Sequence, residues 1–330
     1  TAGGIMNTDF ATVFVDMTVE EALAKIRKDA PSKDMVFYIY VVDDTMVMKG
    51  FITLKDVILA QPRDVISDMI NEFFVYAEVN EDRESVARKV EKYDLAAIPV
   101  LNSLQQLVGI VGHDDAVRVL QAEQTEDFER IGGVIPSDEP EDYLQTSSLK
   151  HFRRRVVWLV SLAAVGIISG IIINQYQGIL EHFIILAMYM PMMAATGGNT
   201  GTQASTVIIR ALSLGHITEQ QWLEVVFKEI KISAMLSVCV AALTYFKIVF
   251  LSFNNVLPEA FTMEFVAVTI CLAITIQVVT SAIIGAGLPL IVHRLKGDPA
   301  VVASPAITTI VDITGLLIYF SVSTHMLGIK

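Results

Sequence analysis

Apolar stretches long enough to cross a bilayer, confined to the part of the chain after about residue 155, constrain this sequence more than any other feature. Five can be marked, at about 156–175, 183–210, 228–252, 263–292 and 301–326. Backbone polar groups in hydrocarbon must find partners within their own segment, so each stretch is expected to be a helix. A hydrophobic share of 53% and a mean hydropathy of +0.54 agree with a protein that sits partly in lipid. The expected boundaries are a soluble unit over 1–120, a connecting helix over 121–150 and a membrane domain over 151–330.

Charge divides the same way. Residues 1–150 hold 14 Lys+Arg against 28 Asp+Glu, a net of −14, whereas residues 151–330 hold 10 against 8, a net of +2. So acidic a soluble part repels nucleic acid and anionic lipid and is relieved by bound cations. Along the membrane half, basic residues alternate between loops. Arg153, Arg154 and Arg155 precede the first stretch, Arg210, Lys228 and Lys231 flank the second loop, and Arg294 and Lys296 occupy the fourth, while the first and third loops have none. The positive-inside rule then puts the N-terminal half in the cytoplasm and the C-terminus outside.

The soluble half contains a repeat offset by about 60 residues. VEEALAKIRK (19–28), FYIYVVD (37–43) and GFITLKDV (50–57) are answered by ESVARKVEKY (84–93), AAIPVLN (96–102) and GIVGHDDAV (109–117). Each copy alternates helical and strand periodicity and is too small to close a core alone, so the two are expected to pack together and leave clefts between them. This resembles a tandem CBS-domain pair over roughly residues 5–120. The resemblance implies nucleotide binding through a hydroxyl residue and an Asp three positions later. Thr53 and Asp56 fit in the first copy; the second has Gly112 and Asp115, so the first cleft is expected to be the more competent for ATP. A helix cap would use Thr53 and Asp56 equally well. In the linker, Glu123, Glu126, Asp127 and Glu129 crowd neighbouring helical positions, where a hard cation would relieve repulsion.

Two membrane segments carry polarity where lipid would reject it. PMMAATGGNTGTQASTVIIRAL (191–212) gathers Gly197, Gly198, Asn199 and Gly201, a composition suited to close packing or to a pore wall of carbonyls and hydroxyls. In SPAITTIVDITGLLIYF, Asp312 is an acid at mid-membrane, functional by default, with Thr308 one helical turn earlier on the same face. Pro299 and Pro305 are expected to bend or open the helix upstream.

These two segments, the second extended back to GDPAVVASPAITTIVDITGLLIY (297–319), resemble the MgtE family of Mg2+ channels behind a CBS pair. The implied fold is an α/β tandem CBS pair followed by an all-α transmembrane domain of five helices. The resemblance further implies a homodimer in the cell inner membrane with its pore on the dimer axis, lined by the second and fifth spans. By it, Asp312 is the selectivity acid and Asp298 the acid at the cytoplasmic pore mouth. Asn199, Thr308, Glu123, Glu126 and Asp127 join these as candidate Mg2+ ligands, with gating by cytoplasmic Mg2+ and regulation by ATP. The helical domain that usually precedes the CBS pair in that family lies outside this sequence, and Ser304 stands where Asn is frequent. An ion-coupled divalent-cation carrier is the alternative within transport.

Other classes fit poorly. Cys239 and Cys271 both lie in apolar runs, which leaves no disulfide framework or CxxC site. TAGGIMNTDF has no basic region followed by an apolar one, so no cleavable signal is expected. A membrane metalloprotease needs HExxH, and Glu181–His182 stands in the wrong order without a second His.

Overall fold

The computed structural model describes residues 1–29, 35–137, 142–251, 257–258, 260–301 and 304–328. They form two compact units, Thr1–Thr125 and Glu126–Lys330.

The first unit holds a short helix α1 (Ala2–Ile5) and two copies of one motif. The first copy is β1 (Phe10–Phe14), α2 (Val19–Asp29), β2 (Met35–Val42), β3 (Met48–Thr53) and α3 (Leu54–Leu59). The second is β4 (Ala77–Glu78), α4 (Arg83–Lys92), β5 (Ala97–Leu101), β6 (Leu107–Gly112) and α5 (His113–Ile131). In both, the first strand runs parallel to the second and the second antiparallel to the third. The opening strands β1 and β4 were not expected: β1 (FATVF) is a short apolar run ahead of the repeat as read from the sequence, and β4 is only two residues long.

The hairpins explain the register. Asp43 Oδ1 accepts from the Thr45 and Val47 amides at 2.9 and 3.0 Å, and Asn102 Oδ1 accepts from Leu104 and Gln106 at 3.0 Å each. Each side chain thus imitates a backbone turn, and each turn closes on a left-handed residue, Met46 (φ 65) or Gln105 (φ 59). The two turns also bond to each other, Met48 N to Gln105 O and Leu107 N to Met46 O, both at 3.0 Å. Tyr40, Val42 and Met48 pack with Ala97, Leu101, Leu107 and Ile110 in one core that neither copy could bury alone.

In the second unit, α5 ends at Ile131 and Gly133 turns the chain at φ 69, where a Cβ would meet Pro305 at 3.0 Å. Of the segment expected as a connecting helix over 121–150, the part up to Ile131 is helical and 148–150 already belong to the next helix; 132–137 and 142–147 are not helical, and 138–141 lie outside the described residues. Then come α6 (Ser148–Gln175), α7 (Gln177–His182), α8 (Ile184–Ser213), α9 (Trp222–Leu251), α10 (Met263–Arg294) and α11 (Ser304–Leu327). Helix α10 packs against α8, α9 and α11, and α11 against α6 and α8. A core centred on Tyr189, Ile270, Ile274, Tyr319 and Phe320 fills the space between them.

Among the described residues, four helices are long and apolar enough to cross a membrane: α6, α9, α10 and α11. Helix α8 is long enough, but its Gly, Thr, Asn and Ser dilute its apolar character. Among the described residues, neither Pro299 nor Pro305 bends a helix. Pro299 opens a 3-10 turn, and Pro305 sits in the first turn of α11, where no helical partner awaits its missing N–H.

Candidate functional site

Glycines bring α8, α10 and α11 together. A Cβ on Gly285 of α10 would overlap the backbone of Gly201 on α8, so the two helices touch main chain to main chain. On the α11 side, a Cβ on Gly198 would stand 3.0 Å from Thr308 Cγ2, and one on Gly201 3.0 Å from Ile307. The small-residue run in α8 is therefore first a packing surface, and it seats α11 with Thr308 facing it.

Above that contact lies Asp312. The residue is half-buried, and its Oδ1 is shielded from solvent with no hydrogen-bond partner among the described residues. One turn earlier Thr308 Oγ1 donates to the Ser304 carbonyl at 2.9 Å and lies 3.4 Å from Thr202 Oγ1, which accepts from Ser304 Oγ at 3.1 Å. Ser304, Thr202 and Thr308 thus line up hydroxyls on the approach to the acid. Asn199 is not part of this contact; it is exposed on α8, with Gln203, Thr206 and Arg210 on the same outward stripe.

Asp298, just before the 3-10 turn that leads into α11, accepts from the Ala300 amide at 2.8 Å and is paired with Arg130. The same guanidinium pairs with Glu126, and Arg154 with Glu129. Asp127 is half-buried in the same turn of α5. In the first unit, Glu123 receives Arg83 Nε at 2.8 Å. The crowded carboxylates are thus partly balanced by arginines. No group of three or more His, Cys, Asp or Glu placed to hold a metal occurs among the described residues.

Thr53 and Asp56 are engaged with each other. Thr53 Oγ1 donates to Asp56 Oδ2 at 2.6 Å, Thr53 N to the same oxygen at 3.0 Å, and Asp56 N to Thr53 Oγ1 at 3.2 Å, a capping box at the start of α3. The side-chain bond first, and then the backbone bond, hold the Asp56 carboxyl below its ordinary range. A cleft of about 570 Å3 lies beside the second copy, among Asn7, Asp94, His113 and Asp115, with Arg118 paired to Asp115. Its lining is largely apolar, with Asp94, Asp114 and Asp115 set against a single arginine.

The sequence profile of the MgtE family, described as a divalent cation transporter, matches residues 190–322, and that of the CBS domain matches 2–63 and 66–122. The magnesium transporter MgtE of Thermus thermophilus is 36% identical over 326 residues, 99% of this chain and 70% of that protein. The chain belongs to the MgtE family. A second MgtE relative, the magnesium transporter of Bacillus subtilis, is 32% identical over 98% of this chain and 69% of its own length. A solved cytosolic domain described as that of the Mg2+ channel MgtE in complex with ATP is 41% identical, with a TM-score of 0.35; the match covers 36% of this chain and 48% of that one.

For an MgtE chain, three groups here escaped the sequence reading. The Thr202–Ser304 link and the Arg130 bridge are set by residues far apart in sequence. Gln277, an amide buried at 1% exposure in α10, did carry a signal, a large polar side chain inside the apolar run TICLAITIQVVTSAII.

Proposed function

We propose that the chain is a Mg2+-selective channel that mediates Mg2+ uptake, with the ion held in passage beside Asp312. The observation that carries this is the state of that acid, a buried carboxylate oxygen without a partner among the described residues, on an apolar helix. An ionised carboxylate at such depth costs at least about 2.5 kcal/mol unless water or a cation faces it. Mg2+ dehydrates reluctantly and keeps several waters, so one acid from each of two subunits, with hydroxyls such as Thr308, is a sufficient ligand set.

The outward stripe of α8, with Asn199, Gln203, Thr206 and Arg210, is too polar to face lipid. A homodimer that turns this stripe toward its own axis would surround a water-filled path. On this view α8 crosses the membrane with the other four helices, and the alternating basic loops orient the N-terminal half to the cytoplasm and the C-terminus outside. Mg2+ taken up by Glu126, Asp127 and Asp298, and by Glu123 in the CBS unit, closes the channel, whereas in its absence like charges repel. ATP in the cleft lined by Asp115 modulates the response; Thr53 and Asp56 serve α3 as a cap. An ion-coupled divalent-cation carrier would use the same acid, and single-channel currents separate it from a channel.

The test is Mg2+ flux in liposomes containing the purified chain. Flux is lost in Asp312→Ala; flux at the parent level would remove the acid from the mechanism.

A further inference from the structure

Gln277 lies at the crossing of three helices. From α10, its Nε2 donates to the Val311 carbonyl at 3.0 Å, the carbonyl of the peptide unit that joins Val311 to Asp312. Two glycines clear the space it occupies. A Cβ on Gly197 of α8 or on Gly315 of α11 would overlap that same nitrogen. Its other end is unsatisfied, because Oε1 is buried without a hydrogen-bond partner among the described residues. Burying an amide with its acceptor unused is unfavourable, and a Leu or Met of similar volume would fill the crossing without that penalty. Helix packing alone therefore gives no reason for an amide here.

We propose that Gln277 is a positioning residue for Asp312 and thereby a determinant of ion selectivity. Its donor end fixes the peptide that carries Asp312, and its bulk, wedged between Gly197 and Gly315, fixes the rotation of α11 against α8. A hydrated Mg2+ needs few ligands at set positions, while Ca2+ accepts a looser and more variable shell. A carboxylate free to shift would therefore lose Mg2+ affinity and admit Ca2+. The inference rests on the assignment of the ion to Asp312.

Flux of Mg2+ and Ca2+ is measured in liposomes for the parent, Gln277→Leu, the double variant Gly197→Ala/Gln277→Ala, and Asp312→Ala. In Gln277→Leu the half-saturating Mg2+ concentration is expected to rise roughly 10–100-fold, as for other groups that orient a metal ligand. Maximal flux should fall much less, and Ca2+ flux should gain relative to Mg2+. The double variant exchanges the amide for a methyl group that fills part of its space and stands 2.9 Å from Val311 Cγ1, which must give way slightly; it is expected to fold and still discriminate poorly. Parent-like half-saturation and selectivity in Gln277→Leu, or their recovery in the double variant, would mean that the side chain only packs and would overturn the proposal. Flux surviving in Asp312→Ala would overturn the ion site together with this inference, whereas flux lost there with unaltered Gln277 variants overturns this inference alone.

Discussion

Replacing Asp312 by Asn keeps the shape of the side chain and removes its charge, so it separates the penalty of holding an acid in α11 from the benefit of binding an ion. Without ions, the parent carries a carboxylate whose Oδ1 is buried and has no partner among the described residues. The charge at mid-membrane costs at least about 2.5 kcal/mol. The residue is only half-buried, so part of that penalty is relieved by solvent. Asp312→Asn is therefore expected to equal the parent in stability or exceed it by up to about 2 kcal/mol in chelator. With free Mg2+ at a hundred times the dissociation constant, a site that binds only the folded chain contributes about 2.7 kcal/mol to the parent, and the variant loses it. At roughly 2–4 °C per kcal/mol for a unit of this size, the Mg2+-dependent gain in the midpoint should be larger in the parent by about 5–10 °C. Thermal unfolding of detergent-solubilised protein, in EDTA and across a Mg2+ series, reads both numbers. A variant less stable than the parent by more than about 1 kcal/mol in EDTA would make Asp312 a structural residue. An identical Mg2+ response in the two proteins would mean that no ion is held there.

Two further outcomes test the helix crossings and the CBS unit. Gly285→Ala, whose Cβ meets the Gly201 backbone, should destabilise the chain by about 1–3 kcal/mol and reduce flux, whereas Gly287→Ala, with nothing within 4 Å, should be neutral or stabilising in the same unfolding assay. Thr53→Ala should cost about 1 kcal/mol of CBS-unit stability by removing the α3 cap. Because Asp56 is held below its ordinary range, the box stabilises fully above the unfolded value near pH 4 and is lost as pH falls through the folded value, so the deficit should shrink in acid denaturation curves.

The sequence by itself determined the division into an acidic repeat unit and a membrane unit, because hydropathy, charge and an offset repeat are properties of the chain before it folds. Asp312 was legible for the same reason: an acid in an apolar run is anomalous wherever its neighbours fall. What each polar residue does was decided only by tertiary structure. Thr53 and Asp56 match a nucleotide motif and a helix cap equally well in sequence, and only their hydrogen bonds show that the cap at the start of α3 is formed. The glycines of α8 suggest a pore wall in sequence, yet Gly197, Gly198 and Gly201 are filled from outside by Gln277, Thr308 and the α10 backbone. Pairings such as Arg130 with Asp298, or Gln277 with Val311, join residues distant along the chain. No local pattern encodes them, because they arise from how the helices cross, which side-chain volume settles only when all the helices are present.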